Sequence, residues 1–378
     1  MKPPMLMTPG PTEVSEDVLT AMSRSMINPD LDPVFFEFYR GVTRKIARLV
    51  GTEHEVVVLG GEGILGLEAA CASLIEPGDR VLCFANGVFG YGFADFVKLY
   101  GGQVVFCYGD ERHPFDPDEV LTLLQRDPGF KLATLVHCET PTGLLNPVPL
   151  LAPLLRERGI LTMVDAVSSI GGIPVAADAW GVDILLGGSQ KCLSAPPGLA
   201  FLSISPEAWA AIHRRKQPVA GYYCNLGHWA DWYERKWFPY TLPVNDLFGL
   251  DAALDRVLAD ADVYERHRRV GQAVRRAITA GGLELFPKSG WSDTVTAFLP
   301  PSGLKESEIR REILERHRIL LAGSLGTLTD PVIRIGHMGE NCWVDRVSRA
   351  LEALDAALRH FGFQPAAPLV DTFTAALD

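Results

Sequence analysis

Three stretches of this chain hold side chains whose type and spacing suit them to chemistry. In VVVLGGEGILGLEAA (56–70), Gly61, Gly63 and Gly66 spell G-x-G-x-x-G between an apolar strand pattern and a helical one. A helix that starts on such a turn offers free N–H groups and the positive end of its dipole to an anion. Glu62, however, puts a carboxylate where that anion would lie. MVDAVSS (163–169) ends an apolar run on Asp165, and SQKCLSAPPG (189–198) places Lys191 just past another, ahead of a stiff Pro-Pro-Gly. In parallel α/β sheets ligand groups gather at the carboxyl ends of strands. A lysine able to form a Schiff base and an aspartate able to pair with a pyridinium nitrogen, beside an anion turn, make a constellation suited to vitamin B6.

Each piece alone has a plainer reading. A dinucleotide turn needs an acid at the end of the second strand, about 20 residues on. That strand, RVLCFA (80–85), runs instead into Asn86-Gly87, with Asp79 at its wrong end. The fingerprint is incomplete, which leaves an anion turn or a bare strand–helix turn. Lys191 by itself would pass as a surface lysine, and Asp165 as a helix cap.

The elements that must position these residues are legible in outline. Short apolar runs at 55–60, 80–85, 103–108, 132–138, 160–166, 183–188 and 199–205 alternate with helical stretches such as 63–74, 93–100, 118–125 and 148–158. Near-continuous apolar strands separated by helices predict an α/β domain with a mostly parallel seven-stranded sheet, covered on both faces. Two successive helices are expected at 242–260 and 264–282, and the strand–helix mixture that follows, DTVTAFLP, ESEIRREILERHRI, VIRIGHMG and an amphipathic helix at 343–360, predicts a smaller α+β domain. The expected division is an N-terminal arm (1–20), a large domain (21–260) and a small C-terminal domain (261–378), with the last residues docked or frayed.

Composition narrows the classes of function. A chain of 378 residues with 47% hydrophobic and 21% charged residues is ordinary for a globular protein, and long enough for two cores. A net charge of −11 disfavours nucleic acid and anionic membranes as partners. No apolar run approaches the ~20 residues of a membrane span, and the N-terminus lacks a secretory core, so a cytoplasmic location is expected. Seven scattered cysteines without a C-x-x-C pair argue against a disulfide framework or a structural zinc, and no metal is expected.

At this point nearly the whole chain resembles the class V, fold-type I aminotransferases of the alanine–glyoxylate type. The resemblance rests on TPGPTEV, GEGILGLEAA, NGVFG, ETPTG, VDAVSS, SQKCLSAPPG and RIGHMG. It implies that Lys191 forms the Schiff base and shuttles a proton, while Asp165 keeps the pyridine nitrogen protonated. Phe89 would stack on the ring, unless it is simply a core phenylalanine. Gly63, Ile64, Thr140, Ser168 and Gln190 would lie around the vitamer, with Thr241 reaching in from the partner subunit of a homodimer or homotetramer. Arg334 would hold the substrate carboxylate as a bidentate fork.

The chain also departs from the family pattern. Glu62-Gly63-Ile64 stands where the family usually has Ser-Gly-His or Ser-Gly-Thr, so two phosphate ligands are gone. Phe238 replaces a tyrosine that reaches the phosphate from the partner, and Pro141 replaces a small hydroxyl residue. In one subgroup, the pyridoxamine–pyruvate aminotransferases, unphosphorylated pyridoxamine or pyridoxal is a substrate, and this chain resembles it closely. The expected reaction is pyridoxamine + pyruvate to pyridoxal + L-alanine, with a conventional pyridoxal 5'-phosphate-dependent alanine/serine–glyoxylate transaminase as the alternative. Against the subgroup, Leu325 stands where its second carboxylate-binding arginine would be. Two remoter readings are a non-catalytic B6-binding sensor, for which no output module is visible, and a desulfurase, for which Cys342 is the only cysteine of the small domain.

Overall fold

The computed structural model describes residues 3–326, 328 and 331–377. The seven apolar runs form one sheet from β1 (Glu55–Gly60), β2 (Arg80–Ala85), β3 (Gln103–Tyr108), β4 (Leu132–Val136), β5 (Leu161–Asp165), β6 (Ile184–Gly188) and β7 (Leu199–Ile204). Their spatial order is β1-β7-β6-β5-β4-β2-β3. Strands β2 to β6 pair in parallel, whereas β7 is antiparallel to both of its neighbours. Parallel neighbours need a long crossover, usually helical. The link from β6 to β7 is instead a loop with no helix, so β7 returns beside β6 in the opposite direction. That loop carries Lys191.

Helices cover the sheet, with Gly63–Leu74 packed on β6 and β7, and Val88–Leu99 on β2 and β4. The apolar pattern does not single out Pro33–Val50, an 18-residue helix capped by Asp32, begun by proline and ended by Gly51 at φ +64°. It packs against β1.

A second hydrophobic core lies after residue 260. Two antiparallel strands, β8 (Val295–Phe298) and β9 (Ile333–Gly336), sit among the helices Val263–Ala280, Glu306–His317 and Val344–His360. Its core includes Met7, and Met5–Leu6 pairs in parallel with Ile319–Leu320, so residues 5–7 are woven into it. The chain end docks through the helix Leu369–Ala375, whose Leu369 and Phe373 are buried. Among the described residues no helix is long and apolar enough to cross a membrane, and no cluster of three metal-ligating side chains occurs.

Candidate active site

Asp165 is the last residue of β5, and the chain turns sharply after it, so its side chain stands at the carboxyl edge of the sheet. One of its oxygens accepts the Val167 N–H at 2.9 Å. Burial pushes its pKa up to about 6, opposed by the Val167 bond and by the charge of Lys191. This carboxylate is short of a cation.

Lys191 lies three residues beyond β6, in a loop pinned by Ser189 N–H to Leu199 O (3.0 Å) and Ala195 N–H to Ser189 O (3.0 Å). Its Nζ donates to the Pro9 carbonyl at 2.6 Å. Burial pulls its pKa below that of an ordinary lysine, with Asp165 acting against the shift and Arg334 reinforcing it. The segment TPGP (8–11) therefore straps the lysine. A Cβ on Gly10, where φ is +88°, would lie 2.3 Å from Lys191 Cδ.

The glycine turn opens the helix Gly63–Leu74, and Glu62 is its N-cap. Its Oε1 accepts the Ile64 N–H at 2.9 Å, and its Oε2 accepts from Gln190 Nε2 at 3.3 Å. Glu62 and Ile64 are exposed, while Gly63 is buried. A Cβ at Gly63 would meet Val167 Cγ2 at 3.1 Å, which seats the turn against the loop after Asp165. Gln190 Oε1 is buried and has no hydrogen-bond partner among the described residues.

Thr140 and Ser168 are buried and hydrogen-bonded to each other through their hydroxyls. Arg334, on β9, donates from Nε to Gly323 O at 2.8 Å and from Nη1 to Thr140 O at 3.3 Å. Burial and the nearby Arg310 bring its pKa down to about 10, while Glu306 acts in the opposite sense. Phe89, half-buried, lies in the first turn of the helix Val88–Leu99. The segment 138–140 bears both Thr140 and Glu139. Glu139 is fully buried and accepts the N–H groups of Gly90 (2.6 Å) and Phe89 (3.2 Å).

Hydrogen bonds or charge thus link Lys191, Asp165, Gln190, Glu62, Thr140, Ser168 and Arg334, and Phe89 joins them through Glu139. Thr241 does not join this cluster: it is exposed and donates to Asp30 Oδ2 at 3.0 Å. Phe238 is buried, stacked on Phe36 (centroids 4.9 Å apart) and Trp232 (5.5 Å) in an aromatic core. Leu325 is 46% exposed. Cys342 is buried in the second core with its thiol pushed up to about 12 by burial, the setting of an inert cysteine.

Sequence reasoning missed Pro9, Gly10 and Glu139 as members of the site. The motifs TPGPTEV and ETPTG contained them, but nothing in a strand-like run signals that a glutamate caps a helix some fifty residues away.

The description "Aminotransferase class-V" is that of the family model matching residues 7–281. The pyridoxamine–pyruvate transaminase of Mesorhizobium japonicum is 33% identical over 95% of this chain and 93% of its own. Two solved structures superpose with a TM-score of 0.95, each over 100% of this chain and 98% of its own. They are the pyridoxamine–pyruvate aminotransferase of Mesorhizobium loti at 32% identity and the ureidoglycine–glyoxylate aminotransferase of Bacillus subtilis at 31%.

Proposed function

The chain belongs to the class V aminotransferases, fold-type I enzymes of amino donors and 2-oxo acids that work with a vitamin B6 vitamer, and from that premise we propose that its vitamer is unphosphorylated. The reaction proposed is pyridoxamine + pyruvate to pyridoxal + L-alanine. The observation that carries this reading is the Glu62 carboxylate on the Ile64 N–H at 2.9 Å. The helix N-terminus already holds a negative group from its own chain. An ionised carboxylate there repels a phosphate dianion, whereas its oxygens can accept a hydrogen bond from a neutral hydroxymethyl group.

The residues fit a B6 ring. Asp165, raised to about 6 by burial, is matched by a protonated pyridine nitrogen, which would supply the cation it lacks. Bound there, the vitamer supplies an electron-withdrawing ring that stabilises negative charge at the reacting carbon. The chain supplies the rest. The amine of Lys191, held by the Pro9 carbonyl and shifted below the usual lysine range, is the nucleophile and the proton carrier. Arg334, its Nε and Nη1 fixed by two carbonyls, orients the carboxylate of the 2-oxo acid. Phe89 covers one face of the ring, and Thr140, Ser168 and Gln190 offer polar atoms around it. Thr241, exposed on its own protomer, is suited to act across a homodimer interface.

A conventional pyridoxal 5'-phosphate-dependent transaminase acting on glyoxylate is the second reading. It is favoured by the exposure of Glu62, which leaves the side chain free to swing away, and by Leu325 in place of a second arginine. Titrating the protein with pyridoxal and with pyridoxal 5'-phosphate, followed by visible absorbance, separates the two. Tight binding of pyridoxal supports the first reading; binding of the phosphate form alone overturns it.

A further inference from the structure

Glu139 is a buried carboxylic acid for which the proposed chemistry has no use. It sits at the N-terminus of the 12-residue helix Val88–Leu99, whose own N-cap, Gly87, provides no side-chain bond. Glu139 fills that role from elsewhere in the chain, accepting Gly90 N–H at 2.6 Å and Phe89 N–H at 3.2 Å. The fit is close, because a Cβ on Gly87 would lie 2.5 Å from the Glu139 carboxyl carbon. The glutamate is itself held by a turn in which its own carbonyl accepts Gly143 N–H at 2.8 Å and the Thr142 hydroxyl at 3.1 Å. The next residue, Thr140, gives its carbonyl to Arg334 Nη1. One short segment therefore contacts both the backbone of Phe89 and the side chain of Arg334.

We propose that Glu139 is a positioning residue: by capping the helix Val88–Leu99 it sets where Phe89 lies over the B6 ring. Burial pushes its acid up to about 8, with Asp165 and Glu111 reinforcing the shift and the two helix N–H groups opposing it. Burying an acid at such a cost, when an N-terminal serine or aspartate would cap the helix locally, points to a task that a local cap could not perform. A local cap would not tie Phe89 to the Thr140–Arg334 side of the site.

The proposal rests on the vitamin B6 reading, in which Phe89 stacks on the ring. Phe89→Ala, Glu139→Gln and Glu139→Ala would be titrated with pyridoxal and with pyridoxal 5'-phosphate, reading Kd from absorbance and ring orientation from the induced circular dichroism of the bound vitamer. Far-ultraviolet circular dichroism checks the fold. Glu139→Gln keeps one acceptor for Gly90 N–H and fits the same space, so it should fold. It should change the induced signal in the same sense as Phe89→Ala and weaken the better-bound vitamer several-fold. Glu139→Ala should weaken that vitamer tenfold or more. If Phe89→Ala alters affinity and induced signal while folded Glu139→Gln reproduces the wild type in both, the positioning role is wrong. If Phe89→Ala itself changes neither, the stacking reading fails, and the proposal with it. If neither vitamer binds the wild type, the B6 reading itself is overturned.

Discussion

If the vitamer is unphosphorylated as proposed, replacing Glu62 by serine should let the turn accept a phosphate. Serine is a favoured N-cap, so the helix Gly63–Leu74 keeps an acceptor for a backbone N–H, and stability should move by no more than a few tenths of a kcal/mol. The charge term is much larger. A carboxylate ~5 Å from a phosphate dianion is opposed by ~7 kcal/mol at an effective dielectric of ~20, and by ~1.7 kcal/mol in water. Because Glu62 is exposed, solvent screens most of this. A residual of about 2–3 kcal/mol corresponds to roughly 30- to 150-fold in affinity. The measured quantity is the ratio of the Kd for pyridoxal to that for pyridoxal 5'-phosphate, from parallel absorbance titrations of wild type and Glu62→Ser. It should rise by at least about 30-fold, mainly through tighter phosphate binding, with a small loss of pyridoxal affinity as an acceptor disappears. An unchanged ratio in a folded variant would refute the electrostatic reasoning, whichever vitamer the wild type prefers.

Lys191→Ala should abolish both turnover and the visible band of the bound vitamer, checked by spectra and a coupled alanine assay. Arg334→Lys cannot reproduce the contacts from Nε and Nη1 to Gly323 and Thr140. It should raise KM for the 2-oxo acid by ~100-fold, with a smaller effect on kcat, in line with ~2–3 kcal/mol for a charged fork. For Asp165 the sign follows from its raised pKa. The folded value of about 6 exceeds the ordinary 3.8 by about 2 units, so the ionised form destabilises the ligand-free fold by up to about 3 kcal/mol above pH 6, and this penalty fades as pH falls towards 4. Ligand-free Asp165→Asn should therefore melt higher than wild type at pH 8, with the gain shrinking between pH 6 and 4, while catalysis is lost. A melting curve that shows no gain at pH 8 contradicts the burial argument.

The features legible in the residue order follow from local physics. Apolar runs separated by helical patterns located all seven strands of the main sheet to within two residues at each end, because a strand buried on both faces must be apolar throughout. The same logic put Asp165 and Lys191 at strand ends, and the glycines marked where a helix begins. The remaining features emerge only in the folded chain, and each case turns on groups far apart in the chain. The helix at Val88 starts five residues before the periodicity suggests, because its cap, Glu139, comes from another segment. The Pro9 carbonyl meets Lys191 across 182 residues. Phe238, which stands where the family often has a tyrosine that reaches the phosphate, is held in an aromatic core by rings from Phe36 and Trp232. Glu62 shows both levels. The sequence raised the conflict between a carboxylate and an anion turn, but only the folded chain put that carboxylate on the Ile64 N–H, because a long side chain can curl back onto a helix end as readily as it can extend into water.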